Sequence, residues 1–524
     1  MSVRQMVTQS DTVRALRSPR ILSREVLAGV VTTLALIPEV ISFSVVAGVD
    51  PRVSLVASVV LAISMSVLGG RSAMVTAAAG SVALVVAPLV RDHGVEYLLP
   101  AIILAGIVQI AFGVLGLARL MRFIPRSVML GFVNALGVLI FAAQVPHLID
   151  VPWIVYPLFA LTVAVVLALP RVTKAVPAPL VAIVLVTAIV IVANLDVPNV
   201  GDEGTIGGAL PGITPLLVPL NLETLQIIWA PALSVAFVGL MESLLTAKVV
   251  DDLTDTRSHK SRESWALGIA NILAGFYGGI AGCAMIGQTV LNVKVGRART
   301  RISTVAAGLV LLLMVTLLAD VMAQIPMAAL AAVMMIVAVT TVDWHSVRPS
   351  TLRRMPIPET LVLAVTIVVV VATGNLAVGV LVGVVLAMVL FARRVAHVIR
   401  VERVVAPAPD AAMTAGAPVP DAAAPAAPSV LYRVQGPLFF GSSNDLVEQF
   451  RYADDAALGP LPAEVAVTVD FTASQIWDAS TVAALDSVRT KFHAHGLAVD
   501  FTGLDERSTL FHDRLSAFDP TRGA

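Results

Sequence analysis

The feature that most constrains this chain is a succession of apolar runs long enough to cross a bilayer and nearly free of charge, of which 151–169 and 177–195 are the clearest. Inside hydrocarbon every backbone polar group has to be satisfied within the segment, so such runs can persist only as helices. Fourteen can be placed, at 26–48, 53–69, 72–90, 98–118, 127–146, 151–169, 177–195, 226–247, 264–279, 283–294, 302–319, 326–342, 358–373 and 376–392. Several are too short for a plain helical crossing of ~30 Å at ~1.5 Å per residue. A soluble enzyme is excluded, because only 13% of the residues are charged against roughly 25% in a soluble domain. Lys plus Arg equals Asp plus Glu at 35 each, so no basic excess points to nucleic acid. The lone Cys283 gives neither a disulfide nor a thiolate metal site, and neither metal-ligand spacing nor a phosphate loop is present. No cofactor is expected beyond a coupling ion, Na+ or H+.

Charge placement orders the spans. Five arginines (Arg4, Arg14, Arg17, Arg20, Arg24) precede the first run, which is too long to be the core of a cleaved signal. With residues 1–25 in the cytoplasm, fourteen crossings place nearly every basic cluster on that side and leave outside only Arg52, Arg91 and the long acidic loop from Asp196 to Glu223. That is the positive-inside pattern, with both termini cytoplasmic and the plasma (inner) membrane as location.

The spans divide seven and seven, and seven being odd, the second set is inverted. Third in each set is a Gly-broken segment, Ala77–Pro88 and Gly278–Val293, the arrangement by which transporters build binding sites near mid-membrane. The expected half-helices start at Gly80 and Ser81 and at Met285 to Gly287, so their N-termini face one another. Each carries roughly half a positive charge and free N–H groups, so Ala79, Gly80 and Ser81 with Met285, Ile286, Gly287 and Gln288 form a candidate anion site without any Lys or Arg. Glu39 in the first span and Glu242 in the eighth are ionisable groups inside the membrane, where such groups usually serve a pathway. Asn134, Gln144 and Asn271 read as helix cross-links.

The expected membrane domain is therefore all-α and covers 26–400. A Pro/Ala-rich linker at 404–429 follows, too poor in large apolar residues to build a core. Residues 430–518 alternate strands at Leu431–Val434, Val465–Phe471 and Leu497–Phe501 with a helix at Thr481–Ala494, a small α/β domain. Asp478 or Ser480 stands where it would cap that helix.

LALIPEVISFSVVAGVDP at Leu34–Pro51, ESLLTAKVVDDLTDTR at Glu242–Arg257 and GGIAGCAMIGQTVLNVKVGRARTRIS at Gly278–Ser303 resemble the SulP family of inorganic-anion transporters. The tail, with YRVQGPLFFGSS at Tyr432–Ser443 and VTVDFTASQIWDASTVAALDSV at Val467–Val488, resembles the STAS domain that closes such proteins. The resemblance implies a secondary transporter of bicarbonate, sulfate or chloride, a 7+7 inverted repeat with elevator-like motion, a homodimer in the lipid membrane, and a cytoplasmic regulator at the STAS domain. In a bicarbonate-carrying branch of the family an acid and a Thr four residues on help to bind sodium. They match Glu242 and Thr246. Gln288 stands where relatives commonly carry a base, and Ala79 where many carry a hydroxyl, which points away from a divalent substrate. An anion channel, a voltage-responsive membrane protein and a STAS-linked regulator are the competing classes on the same scaffold.

Overall fold

The structure, a computed structural model, describes residues 12–118, 124–172, 177–204, 212–219, 221–406, 429–458 and 465–516. Residues 407–428 of the expected linker, 1–11 of the N-terminal segment and 517–518 of the tail lie outside the described residues. The chain forms two compact units, Met1–Val385 and Leu386–Ala524.

The first half of the membrane unit runs α1 (Pro19–Ala47), α2 (Pro51–Leu68), strand β1 (Thr76–Ala78) leading into α3 (Gly80–His93), α4 (Leu98–Val114), α5 (Arg126–Gln144), α6 (Val155–Val172) and α7 (Ala178–Val192). The second half repeats the order with α8 (Leu222–Thr254), α9 (Lys260–Gly275), strand β2 (Gly282–Ala284) leading into α10 (Ile286–Val290), α11 (Ile302–Leu317), α12 (Met327–Thr341), α13 (Ile357–Thr373) and α14 (Leu376–Ala396), whose residues from Leu386 on fall in the second unit. The all-α inverted repeat with two interrupted spans is thus the observed architecture.

Several boundaries shift by a few residues from expectation, and three helices do so for identifiable reasons. Helix α1 starts at Pro19, so Arg20 and Arg24 belong to the first helix, and residues 12–17 of the N-terminal segment are helical as well. Proline at the start of a helix loses no hydrogen bond and presets φ, and the polar first turns extend beyond the apolar run. Helix α8 has 33 residues, overshooting the expected 226–247 at both ends: Asn221 caps it by accepting the Thr224 N–H at 2.8 Å. Helix α10 has only five α-helical residues before a π-helical turn at Leu291–Val295.

Helices α1, α2 and α4 pack chiefly on α8, α9 and α11, α5 on α12 and α13, and α6 and α7 on each other and on α12, so each bundle takes its members from both repeats. Gly48 ends α1 with φ +69, a left-handed geometry that glycine adopts without a Cβ penalty.

At the heart of the first bundle β1 and β2 pair antiparallel, Thr76 opposite Ala284 and Ala78 opposite Gly282. A three-residue ribbon in the interior leaves most of its backbone groups without ladder partners, and side chains from the surrounding helices supply them. Ser58 accepts the Ala78 N–H at 3.1 Å, Ser243 the Ala284 N–H at 3.0 Å and Thr289 the Val75 N–H at 3.0 Å. Asn271 Oδ1 accepts the Gly282 N–H at 2.8 Å while its Nδ2 donates to Gln109 Oε1 at 2.9 Å. Asn134 does cross-link, donating to Ser346 Oγ at 2.8 Å and accepting the Asp343 N–H. Asn271→Leu should lower the unfolding midpoint of the detergent-solubilised protein, because it orphans the Gly282 N–H and the Gln109 amide at ~1–3 kcal/mol for each group. An unchanged midpoint would mean that ordered water replaces the amide.

The second unit is a four-stranded sheet in the order β3 (Arg400–Ala406), β4 (Ser429–Leu438), β5 (Ala466–Ile476), β6 (Ala498–Thr502). β3 and β4 are antiparallel, while β4, β5 and β6 are parallel. Helices α15 (Ser443–Glu448), α16 (Tyr452–Ala456), α17 (Ala479–Ala494) and α18 (Glu506–Leu515) complete it. Its core joins Tyr432, Val434, Val467, Val469 and Phe471 to Leu485, Val488 and Phe492. Asp478 caps α17, accepting the Thr481 N–H at 3.0 Å.

The linker expectation needs correction at its start: Val404–Ala406 lie in β3, paired with Ser429–Leu431. The Pro/Ala-rich stretch therefore connects two neighbouring strands of one sheet instead of tethering one domain to another. β3 escaped the sequence because its residues alternate between exposed and half-buried, the weak signature of an edge strand. The fully buried Asp455 holds this edge, accepting from Arg403 Nε at 2.8 Å and from Tyr432 Oη at 2.5 Å. Burial, and after it the bond to Asp455, pushes the Tyr432 phenol well above its ordinary pKa.

Candidate functional site

Both interrupted spans begin their helices where expected, at Gly80 and Ile286. The antiparallel ribbon fixes their relation: α3 leaves the end of β1 in one direction, α10 leaves the end of β2 in the other, and both N-termini point back toward the ribbon. Free N–H groups of two first turns are thus aimed into one region. Ala79, extended at φ −119, is the N-cap of α3, and Met285, extended at φ −80, is the N-cap of α10; neither offers a side-chain cap. Gly80 is required by contact, since a Cβ there would run into the Phe43 ring of α1.

The two ends differ in access. Ala79, Gly80 and Ser81 are buried, whereas Ile286 is half-buried and Gly287 exposed. A Cβ added to Gly287 would meet nothing within 4 Å. The open space therefore lies on the α10 side.

Glu242 of α8, 9% exposed, accepts the Ser81 hydroxyl and lies within hydrogen-bonding reach of Cys283 of β2. Ser81 and Cys283 are themselves 3.8 Å apart. Glu39 of α1 is within hydrogen-bonding reach of Gln288, and its charge and that of Glu242 act on one another. Among the described residues no Lys or Arg contributes to the surroundings of either carboxyl. Glu39, Glu242, Ser81 and Gln288 thus meet at the two half-helix starts. Thr246 is one turn from Glu242 but its hydroxyl is spent on two backbone carbonyls, Glu242 at 2.8 Å and Ala284 at 2.7 Å. Thr76 Oγ1 is buried without a partner.

Sequence reasoning set Cys283 aside and overlooked Ser58, Ser243 and Gln109, which hold the ribbon or its neighbours. Gln109 was the legible one, a lone amide in an otherwise apolar span, whereas Ser58 and Ser243 stand among other polar residues of their helices and periodicity does not tell which of these face the ribbon.

The sequence model of the Sulfate permease family matches residues 22–155 and 150–366. The chain belongs to that family. Among its relatives, YbaR of Bacillus subtilis, which bears the name of a candidate sulfate transporter, is 44% identical over 487 residues, covering 93% of this chain and 95% of its own. The bicarbonate transporter BicA of Synechocystis is 30% identical over 356 residues, 62% of each chain. The solved transmembrane domain of a cyanobacterial BicA superposes with a TM-score of 0.60 at 25% identity, covering 71% of this chain and 98% of that one. The inward-facing structure of murine solute carrier 26 family member A9 superposes with a TM-score of 0.76 at 16% identity, over 94% and 87% of the two chains, a likeness of fold. The sulfate permease fold with its multi-pass membrane unit is therefore established for this chain, and its relatives are transporters, not enzymes.

Proposed function

We propose that this protein is a secondary transporter of a small inorganic anion, held between the starts of α3 and α10 and accompanied by a proton on the Glu39 and Glu242 pair. One observation carries the reading: two helix N-termini converge on a region that also holds two carboxyl groups and, among the described residues, no basic partner for them. Convergent N–H groups favour an anion, while two neighbouring carboxylates oppose it. An anion that arrives with a proton avoids that opposition, which is the physical basis of symport here. Relatives named for sulfate and bicarbonate support an inorganic anion as the substrate class.

Sodium at Glu242 and Thr246 is the competing coupling scheme, in which the Thr246 oxygen, its proton given to a backbone carbonyl, would offer its lone pairs to the ion. The bundle of α1–α4 and α8–α11, which carries the whole site, is the proposed moving body of an elevator, with α5–α7 and α12–α14 as its frame. The second unit is proposed to be a STAS domain on the cytoplasmic side, open to a regulator, in a homodimer of the plasma membrane.

Proteoliposome uptake of labelled bicarbonate, sulfate and chloride, each with an imposed proton or sodium gradient, tests this directly. Saturable uptake of at least one anion, driven by an inward proton gradient, is the expected result. Sodium-driven uptake indifferent to the proton gradient would replace the coupling ion, and non-saturating single-channel current would replace the carrier with a channel.

A further inference from the structure

A second feature, strongly basic, lies away from the half-helices, at the end of the first bundle where α1 begins and α8 ends. A cavity of about 760 Å³ opens there, between the first turns of α1, the segment joining α2 to β1, the residues after α8 and those before α11. Seven arginines line it against two acids, Glu25 and Asp255.

Four of the seven are committed to the fold. Arg71 pairs with Asp251 at 3.1 Å, Arg262 donates to the Leu68 carbonyl at 2.7 Å and Arg301 to the Ser66 carbonyl at 2.6 Å, closing the end of α2. Arg299 donates to the Val293 and Ala298 carbonyls, both at 2.7 Å. Glu25 is likewise spent, accepting the N–H groups of Arg299 at 2.8 Å and Thr300 at 3.3 Å. The other three, Arg14, Arg24 and Arg257, have neither an ion pair nor a hydrogen bond among the described residues. Arg24 is shared with an adjoining cavity of about 310 Å³ that also holds Lys294 and Arg297.

The wall is therefore rich in uncompensated positive charge. Burial, with Arg299 opposing Asp251, holds the Arg71 guanidinium below its ordinary pKa. Burial and the neighbouring Arg262 do the same to Arg301. Guanidinium groups match phosphate oxygens with paired donors, and the space exceeds what a sulfate or bicarbonate fills. None of Ala79 to Ser81 or Met285 to Gln288 lines it, so it is not the pocket between the half-helices.

We propose that this cavity binds a phosphate-bearing organic anion through Arg14, Arg24 and Arg257, at a site separate from that of the transported anion. The phosphate can belong to a soluble nucleotide or to an anionic phospholipid headgroup, and the experiment separates the two.

Purified full-length protein is titrated with ATP, with pyrophosphate and with sulfate in a thermal-shift assay, and lipid retention is read by native mass spectrometry from nanodiscs of phosphatidylcholine with or without phosphatidic acid. The site variant is R14Q/R24Q/R257Q; R348Q/R353Q/R354Q removes equal charge from exposed residues elsewhere. The single variants R24Q and R257Q guard against misfolding of the triple. Either ATP or phosphatidic acid should bind, and the site variant should weaken that ligand at least ~10-fold while the control binds normally. Loss of ATP binding identifies a soluble ligand, and loss of phosphatidic acid retention identifies a lipid. The proposal is overturned if neither ligand binds, if both triple variants weaken binding equally, or if sulfate displaces the ligand at the concentrations that saturate transport.

Discussion

Gly287→Leu should raise the dissociation constant for the transported anion by about 100-fold, ~2.8 kcal/mol, and leave the protein at least as stable as before. The two halves of that expectation have separate causes. A side chain at this position projects into open space, with no atom within 4 Å of its Cβ, so the fold has nothing to rearrange. Leucine in place of glycine within a helix is favoured by somewhat under ~1 kcal/mol. The same open space is where an anion must approach the N–H groups of Ile286, Gly287 and Gln288, and a branched side chain there keeps it at a distance where their partial charges have little hold. Binding by isothermal titration together with the unfolding midpoint reads both halves. Unchanged affinity for bicarbonate, sulfate and chloride in a folded variant would move the anion site away from α10.

The repeat was legible in the sequence because its signal is collective. Fourteen apolar runs, a one-sided distribution of basic residues and two Gly-broken spans in matching places all constrain the same topology, and shifts of a few residues in α1 or α8 do not disturb it. The half-helix starts were legible for a related reason, since Gly80 and Gly287 interrupt otherwise continuous apolar stretches. The paired strands between them were not. A three-residue ribbon of Thr76–Ala78 with Gly282–Ala284 has no periodicity to read, and what holds it is polar side chains contributed by α2, α8, α9 and α10, a relation that exists only in three dimensions. The same limit applies to Glu242. Its place in an apolar span marked it as functional, but its bond to Ser81 and its reach to Cys283 depend on how α3 and β2 cross beside α8. In the second unit, β3 was missed because an edge strand buries little, and the Pro/Ala-rich stretch behind it looked like a boundary although the pairing of Arg400–Ala406 with Ser429–Gln435 spans it.

Glu242→Gln should abolish proton-gradient-driven uptake while anion exchange between equal solutions continues, which would mark the carboxyl as the proton carrier rather than as part of the anion's hold. Glutamine has nearly the same shape and still accepts the Ser81 hydroxyl, so the α3 start keeps its partner. What disappears is the ability to take up and release charge as the carrier turns. The substitution also removes a negative charge close to the anion. For two charges ~8 Å apart at an effective dielectric of ~20 that repulsion is about 2 kcal/mol, so anion affinity should rise by more than ~10-fold under conditions in which the wild-type carboxyl is ionised. A variant that exchanges anion with higher affinity yet no longer concentrates it against a gradient is difficult to explain by damage to the fold. Glu39→Gln, made in parallel, shows whether the proton is shared: with Glu39 on α1 close enough to feel the charge on Glu242, both variants should lose the gradient response. If both retain the wild-type dependence on pH, the carboxyls are structural and the proton enters elsewhere. If Glu242→Gln instead loses a dependence on sodium, the coupling ion is sodium after all, held by the Glu242 carboxylate and the lone pairs of the Thr246 oxygen, whose proton stays on a backbone carbonyl.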